Sequence, residues 1–433
     1  MNNLYDSKLR DKEIAFPVLL EELKTNPIFK MSLGSKELFH SNFLEYIKEV
    51  DMELFLSIIN RLLPANSKLL DRKDYKLSRE LENFDLCLYH EEVTSTKKKK
   101  DGQEQGKKQI VFDLILENKV KSIPRKEQLK EYEDKVNKHN PEGHTTRYIL
   151  LSLAENFADK SDIENENVWQ IKCYKDLYDA ISSEINSNNL QFSCPKDKTY
   201  IQDYCEFILN LHQLQEKILM DVEKQPLFQD VEEFKKYRLH DLYIKLRCAK
   251  FLILLQEKLQ EKLRDKGISL SPVHFLNNHG DIRNKHQKRG VYLNQNIFRS
   301  VGQAAAFLYL EDGKYSDIYE IVVQGNQYRH GINSCMFAEY EKEKVESQNK
   351  LWQTFNNKQF DKKFLSLSGV FPDSDPQPKY KRKNNKSKIE KIGIFCGYNH
   401  DYVYKYKDIS NLKVKYLIDV MAEDIIAVFY ANN

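Results

Sequence analysis

The sequence predicts an α/β domain, then a helical connector, then a C-terminal α+β domain. Three observations carry this. Over roughly the first 185 residues the runs follow as helix–strand–strand–helix–strand–helix. Two long helical stretches then occupy 200–218 and 231–263. From about 268 the apolar runs are short and strand-like, until one last helix. The expected boundaries are 1–190, 191–267 and 268–433.

Each element has a local reason. After Gly34-Ser35, an expected helix start, Leu38, Phe39, Phe43, Leu44 and Ile47 recur at helical spacing, and "MELFLSIINRLL" (52–63) continues in that period. "NFDLCLY" (83–89) and "IVFDLILENKV" (110–120) switch to strand type. Between them "HEEVTSTKKKKDGQEQGKK", with lysines at Lys97 to Lys100, Lys107 and Lys108, is expected to be a loop, either simply solvated or touching a phosphate backbone. Past Pro124, the spacing of Gln128, Leu129, Tyr132 and Val136 predicts a helix. "RYILLSLA" (147–154) and "VWQIKCY" (168–174) read as strands, and "KDLYDAISSEI" as a helix. "SNNLQFSCPKDK" (187–198) marks a boundary. Later strands are expected at "GVYLNQ", "AAAFLYL", "IYEIVVQG" and "KIGIFCGY", and a helix at "VKYLIDVMAEDIIAVF".

Composition narrows the classes. A chain of 433 residues can build two or three cores, and 41% apolar with 31% charged residues suits a globular protein. A net charge of +3 gives no global basic field, so any nucleic-acid surface must be local. Cys87, Cys173, Cys194, Cys205, Cys248, Cys335 and Cys396 form no CxxC pair, which suits reduced thiols rather than a disulfide framework or a zinc site. The N-terminus has no apolar h-region and no stretch reaches ~18 apolar residues, so a cytoplasmic protein without a membrane partner is expected. There is no zinc-type histidine pattern and no GxxxxGK[ST] phosphate loop.

The run "IVFDLILENKVKSIPRKEQLKEY" (110–132) raises a question of charge. Phe112, Leu114 and Leu116 form one expected face, while Asp113, Ile115, Glu117 and Lys119 form the other. Asp85 stands alone among apolar neighbours in the preceding strand. If the strands pair, Asp85 and Glu117 converge, and two carboxylates repel unless a cation lies between them. Mg²⁺ suits oxygen ligands and phosphate chemistry, and a neighbouring lysine can orient water and stabilise phosphate charge. The rival reading is a salt bridge between Glu117 and Lys119 at a sheet edge. The Glu-x-Lys triplet alone decides nothing, because it recurs at Glu22/Lys24, Glu133/Lys135 and Glu233/Lys235, where surface helix charge is expected.

Taken together, Asp85, Glu117-Asn118-Lys119 and the helix carrying Gln128-Leu129-x-x-Tyr132 resemble the PD-(D/E)XK nuclease superfamily. "SKELFHSNFLEYI", "RELENFDLCLY" and "RYILLSLA" extend the likeness to a bacterial branch, over roughly residues 30–185. The resemblance implies a restriction-endonuclease-like mixed sheet flanked by helices. It implies Asp85, Glu117 and the Asn118 carbonyl as ligands of Mg²⁺ or Mn²⁺, Lys119 as the catalytic lysine, and Gln128 and Glu37 as further site residues. Glu80 is a weaker candidate. Phe84 stands where the name-giving Pro would be, and Asp113 reads as structural. The implied activity is metal-dependent endonucleolytic hydrolysis of DNA rather than RNA, with a homodimer and a role in anti-phage defence.

Other classes stay open at this point. One is a nucleic-acid-binding protein that keeps the fold without cutting. Another is a sensor in which the C-terminal domain binds an activating ligand or partner and switches the nuclease on. An RNase would carry the same ionic strand. "DIRNKHQKRG" (281–290) and "KYKRKNNKSKIEK" (379–391) are basic stretches, and Gln327, Tyr328 and Arg329 stand at an expected hairpin that can read a ligand.

Overall fold

Apolar periodicity decides the first half of the chain. The computed structural model describes residues 16–32, 37–69, 72, 74–98, 104–120, 126–153, 168–186, 192–264, 266–274, 289–298, 301–309, 318–333, 396–398 and 402–431. They fall into two units: Met1–Lys217 with Glu233–Leu242, and Ile218–Glu232 with Tyr243–Asn433. Among the described residues no helix is long and apolar enough to cross a membrane.

The first unit begins with α1 (Phe16–Thr25), α2 (Glu37–Val50) and α3 (Met52–Leu62). Gly34-Ser35, the expected helix start, lies outside the described residues. Asp51 caps α3 by accepting the N–H groups of Glu53 and Leu54 at 2.8 and 3.0 Å, which satisfies two donors the helix cannot pair itself. Then come β1 (Lys76–Ser78), β2 (Leu86–Lys98), β3 (Glu104–Lys119), α4 (Lys126–His139), β4 (Arg147–Ser152), β5 (Trp169–Cys173), α5 (Tyr174–Ile185) and α6 (Pro195–Met220). The sheet order is β1-β2-β3-β4-β5. β2 is antiparallel to β1 and β3, while β4 is parallel to β3 and β5. This mixed sheet flanked by helices is consistent with the restriction-endonuclease-like fold.

β3 is the central strand, so both its faces need cover. Successive side chains on a strand point to opposite faces. On one face Leu129, Tyr132 and Val136 of α4 pack over Phe84, Cys87, Phe112, Ile115, Leu150 and Trp169. Burying each large apolar side chain there contributes roughly 1.5–3 kcal/mol. On the other face α2 meets β3, where Asn118 reaches Ser41.

Two expectations about these strands need correction. First, Leu88 pairs with Leu114 but Tyr89 pairs with Phe112, which leaves Asp113 as an inserted residue. Phe112 therefore joins Ile115 in the core under α4 and not the face of Leu114 and Leu116. Counting by twos cannot see a bulge. Asp113 turns instead to His90, whose Nδ1 lies 2.6 Å from its Oδ2, and so leaves the face of Glu117. Second, the lysine-rich segment expected as a loop is largely strand: β2 runs on to Lys98 and β3 starts at Glu104. Val93, Thr94 and Thr96 favour extended backbone, and a hairpin outside the core needs no apolar alternation to mark it. Lys99 and Lys100 lie outside the described residues.

The second unit is built on α7 (His240–Leu263), β6 (Ser269–His274), β7 (Gly290–Phe298), β8 (Val301–Tyr309), β9 (Ile318–Gln324), β10 (Gln327–Asn333), β11 (Cys396–Tyr398), β12 (Tyr402–Asp408) and α8 (Val414–Ala431). The single helix expected over 231–263 is broken: a short helix, Val231–Lys236, ends before Arg238, whose φ is +58°. The sheet order is β11-β12-β10-β9-β8-β7-β6, with only β6 and β7 parallel among the pairs described. Neither β6 nor β12 was legible as a strand. Gly302 allows β8 to approach α7, since a Cβ there would lie 2.3 Å from Ile244. At the β9–β10 turn Gly325 takes φ +53°.

A buried polar chain fixes this sheet to α8. Tyr328 Oη donates to Asp424 Oδ2 at 2.6 Å, His330 Nε2 lies 2.8 Å from the same oxygen, and His330 Nδ1 lies 3.0 Å from Tyr319 Oη. Tyr328 is thus a core residue, and Arg329 bonds Gln324 and Gln327 within the hairpin. Of the two basic stretches, 379–391 and 281–288 lie outside the described residues.

Candidate active site

A turn of left-handed residues leads into the site. Glu80, Glu82 and Asn83 have φ of 57°, 54° and 67°, conformations that cost on the order of 1 kcal/mol or more each for residues other than glycine. Phe84 offsets that cost. It is fully buried, edge-to-face with Phe112 at 5.4 Å and with Tyr132 at 5.2 Å. The aromatic anchor gives a physical reason for Phe where the superfamily name has Pro: it locks the turn that delivers Asp85. Glu80 itself is exposed, and its backbone N–H bonds the Phe84 carbonyl at 2.7 Å.

Asp85 stands immediately before β2. Leu86 pairs with Leu116, so the ladder sets Asp85 opposite Glu117. Asp85 Oδ2 accepts the backbone N–H of Asn118 at 2.8 Å. Glu117 is fully buried. Its Oε1 accepts from Gln128 Nε2 at 2.9 Å and pairs with the Lys119 ammonium, while Gln128 also donates to Tyr132 Oη at 2.9 Å. Its Oε2 is buried without a hydrogen-bond partner among the described residues. Burial above all, and then the Asp85 charge, pushes the Glu117 carboxyl up to about 7 against the opposing pull of Lys119 and Tyr132.

The salt bridge of the rival reading exists, but not at an edge: β3 is central, and Lys119 is only 8% exposed. A buried ion pair contributes little net stability, because desolvating both charges cancels most of the attraction. Stability alone is therefore a poor account of Glu117 and Lys119.

Ser41 is the residue that sequence reasoning missed. Asn118 Nδ2 donates to Ser41 Oγ at 2.6 Å, while Asn118 Oδ1 is buried without a hydrogen-bond partner among the described residues. Ser41 follows Glu37 by one helical turn of α2, a spacing that marks no function by itself. Glu37 begins α2, and its side chain lies outside the described residues. One other expectation falls here. Glu133 is no surface charge: its Oε1 accepts from Trp169 Nε1 at 2.8 Å and its Oε2 from Lys130 at 3.1 Å.

The donor set fits a hard divalent cation. Two repelling carboxylates, one with a buried oxygen left over, match an ion that keeps several of its waters.

The central strand thus ends in Glu-x-Lys opposite Asp85, with a helix glutamine on the Glu. Residues 104–206 match the family model of the PD-(D/E)XK nuclease superfamily. That segment contains Glu117, Asn118, Lys119 and Gln128, while Asp85, Ser41 and Glu37 precede it. No curated protein and no solved structure matches the chain.

Proposed function

We propose that the protein is a metal-dependent nuclease that hydrolyses phosphodiester bonds, with DNA as its substrate and Mg²⁺ as its ion. One observation carries the reading. The Glu117 carboxylate is held ionisable in a buried central strand, beside Asp85, with Oε2 left without a hydrogen bond among the described residues.

In this reading Asp85, Glu117 and the Asn118 carbonyl would hold the cation. When bound, it supplies Lewis-acid polarisation of the phosphate and a more acidic water. The remaining work belongs to the chain. Asn118 N–H keeps Asp85 turned toward Glu117. Gln128 fixes one Glu117 oxygen, so that the other is the one presented. Lys119 places a positive charge where negative charge grows on the phosphate and orients the attacking water. The packed core around Phe84 and Tyr132 keeps bulk water from the back of the site. Likeness to a bacterial branch supports a place in defence against phage DNA. We assign targeting to the second unit, and cutting of both strands to a second copy of the chain.

The test is cleavage of plasmid, linear duplex DNA, single-stranded DNA and RNA by wild type and Lys119→Ala, in Mg²⁺, Mn²⁺ and EDTA. Cutting lost both in EDTA and in Lys119→Ala supports the reading and names the substrate. No cutting, together with no Mn²⁺ binding, overturns it.

A further inference from the structure

The turn that delivers Asp85 is strained where it is least packed. Glu80, Glu82 and Asn83 are exposed, and all three take positive φ. Leu81 and Phe84 pack against the core, but the strained residues have no buried face to hold their dihedrals. Inside the turn the Asn83 N–H bonds the Glu80 carbonyl at 3.1 Å, and the Phe84 N–H bonds the Leu81 carbonyl at 3.0 Å. Those bonds close the turn on itself.

Two helices tie it down. Just before the turn, the Arg79 guanidinium bonds Glu45 and Asn42, neighbours on one face of α2. Within the turn, Lys135 Nζ donates to the Glu82 carbonyl at 3.2 Å. His139, one helical turn further along α4, has Nε2 3.6 Å from the Glu82 carboxylate. The Lys135 ammonium lies 5.6 Å from the centre of the Tyr132 ring and 3.2 Å from Glu131, so it is steered by its own helix toward the turn. α2 also carries Ser41, and α4 carries Gln128. The turn is thus fastened to the same two helices that meet Asn118 and Glu117.

We propose that Lys135 is a positioning residue: through the Glu82 carbonyl it holds the left-handed turn in the shape that sets Asp85 opposite Glu117. The proposal rests on the nuclease reading and adds a residue to its site. Left-handed backbone at residues other than glycine has lower-energy conformations within reach, so it relaxes when its tether is cut. A displacement of about 1 Å at a reacting group is enough to weaken a site. One partly exposed hydrogen bond, by contrast, adds little to the stability of a domain. Loss of the tether should therefore appear in ion affinity and not in folding.

The test is Mn²⁺ binding to the full chain, read by electron paramagnetic resonance without substrate. The parent chain is compared with Lys135→Met, Lys135→Arg and Lys138→Met. Methionine keeps the length of the side chain and removes the donor, while arginine keeps a donor. Lys138 is exposed on the same helix, and its replacement removes the same charge. Lys135→Met is expected to raise the half-saturating Mn²⁺ concentration about three- to tenfold, less than loss of a group directly behind a ligand. Lys135→Arg should recover most of that affinity. Lys138→Met should stay within about twofold of the parent, because solvent and salt screen an exposed charge. Urea unfolding should place all three variants near the parent. Unchanged half-saturation in Lys135→Met overturns the tether and leaves the nuclease reading standing. So does an equal loss in Lys138→Met, which would mark a general effect of charge. A loss that arginine does not recover overturns it as well. If the parent chain binds no Mn²⁺ and cuts no nucleic acid, the nuclease reading falls, and the role of Lys135 with it.

Discussion

Strand β3 carries two buried carboxylates, Asp113 and Glu117, and each meets a basic side chain. Their surroundings differ. Asp113 has His90 at 2.6 Å and His144 at 3.5 Å, and His90 Nε2 lies 3.0 Å from Glu92, with the Arg72 guanidinium 3.1 Å from the same nitrogen. Burial and the Arg72 charge would lower the His90 pKa, but hydrogen bonds to Glu92 and Asp113 outweigh them and raise it. Glu117 has one oxygen left over and a second carboxylate opposite it, and its pKa rises to about 7. The lesson is that burial and an ion pair do not mark a site. What marks it is an acid whose neighbours leave it unsatisfied.

Breaking each end of the strand should therefore give opposite phenotypes. The largest expected effect is on the Glu117 end: Lys119→Ala should lower the cleavage rate by at least about a hundredfold in a chain that still folds by circular dichroism, at a cost of roughly 3–5 kcal/mol for leaving Glu117 buried without its partner. Chelation by EDTA should abolish cleavage and added Mg²⁺ restore it. By contrast, Asp113→Asn should keep the rate within about threefold but cost roughly 1–3 kcal/mol in urea unfolding, through loss of charged hydrogen bonds. Were Asp113→Asn to abolish cleavage without loss of stability, the comparison would fail.

Ser41 sharpens the same contrast, because it meets Asn118 beside Glu117. Ser41→Ala should raise the half-saturating Mg²⁺ concentration about tenfold, as removal of a group behind a ligand does. Ser41→Thr, which keeps the hydroxyl, should restore it. Electron paramagnetic resonance of bound Mn²⁺ reads the effect apart from turnover.

The smallest effect concerns pH. His40, next to Ser41, is wholly buried against Phe207 and Tyr174, and burial pushes its pKa down to about 3. A group whose folded pKa lies below its unfolded value takes up protons on unfolding, so stability falls as pH drops below about 6.5. His40→Phe should remove up to about 1.4 kcal/mol of that loss per pH unit, measured by unfolding at pH 5 and pH 7.

How much of this was legible in the sequence follows from what each signal encodes. The strand pair and the charges of Asp85, Glu117 and Lys119 were readable, because apolar runs interrupted by charge are rare enough to stand out, whereas Gln128 stood out only through the resemblance to the superfamily. The structure brings those four together, with Asn118 between them. The Asp113 bulge was not readable, because period-two counting assumes no inserted residue. The outer hairpin was missed because a ribbon away from the core shows no apolar face, and its lysines resemble a loop. Ser41 was missed because a small hydroxyl on a helix carries no pattern of its own.

The bulge at Asp113 also bears on how related chains should be aligned. With Tyr89 opposite Phe112 and Leu88 opposite Leu114, the strand would stay in phase on both sides if that one residue were deleted. Removal of Leu116 instead would swing Glu117 and Lys119 to the far side of the sheet. The interval between the outer hairpin and the Glu117–Lys119 triplet is therefore elastic by one residue at the bulge, and rigid from Leu114 to Lys119.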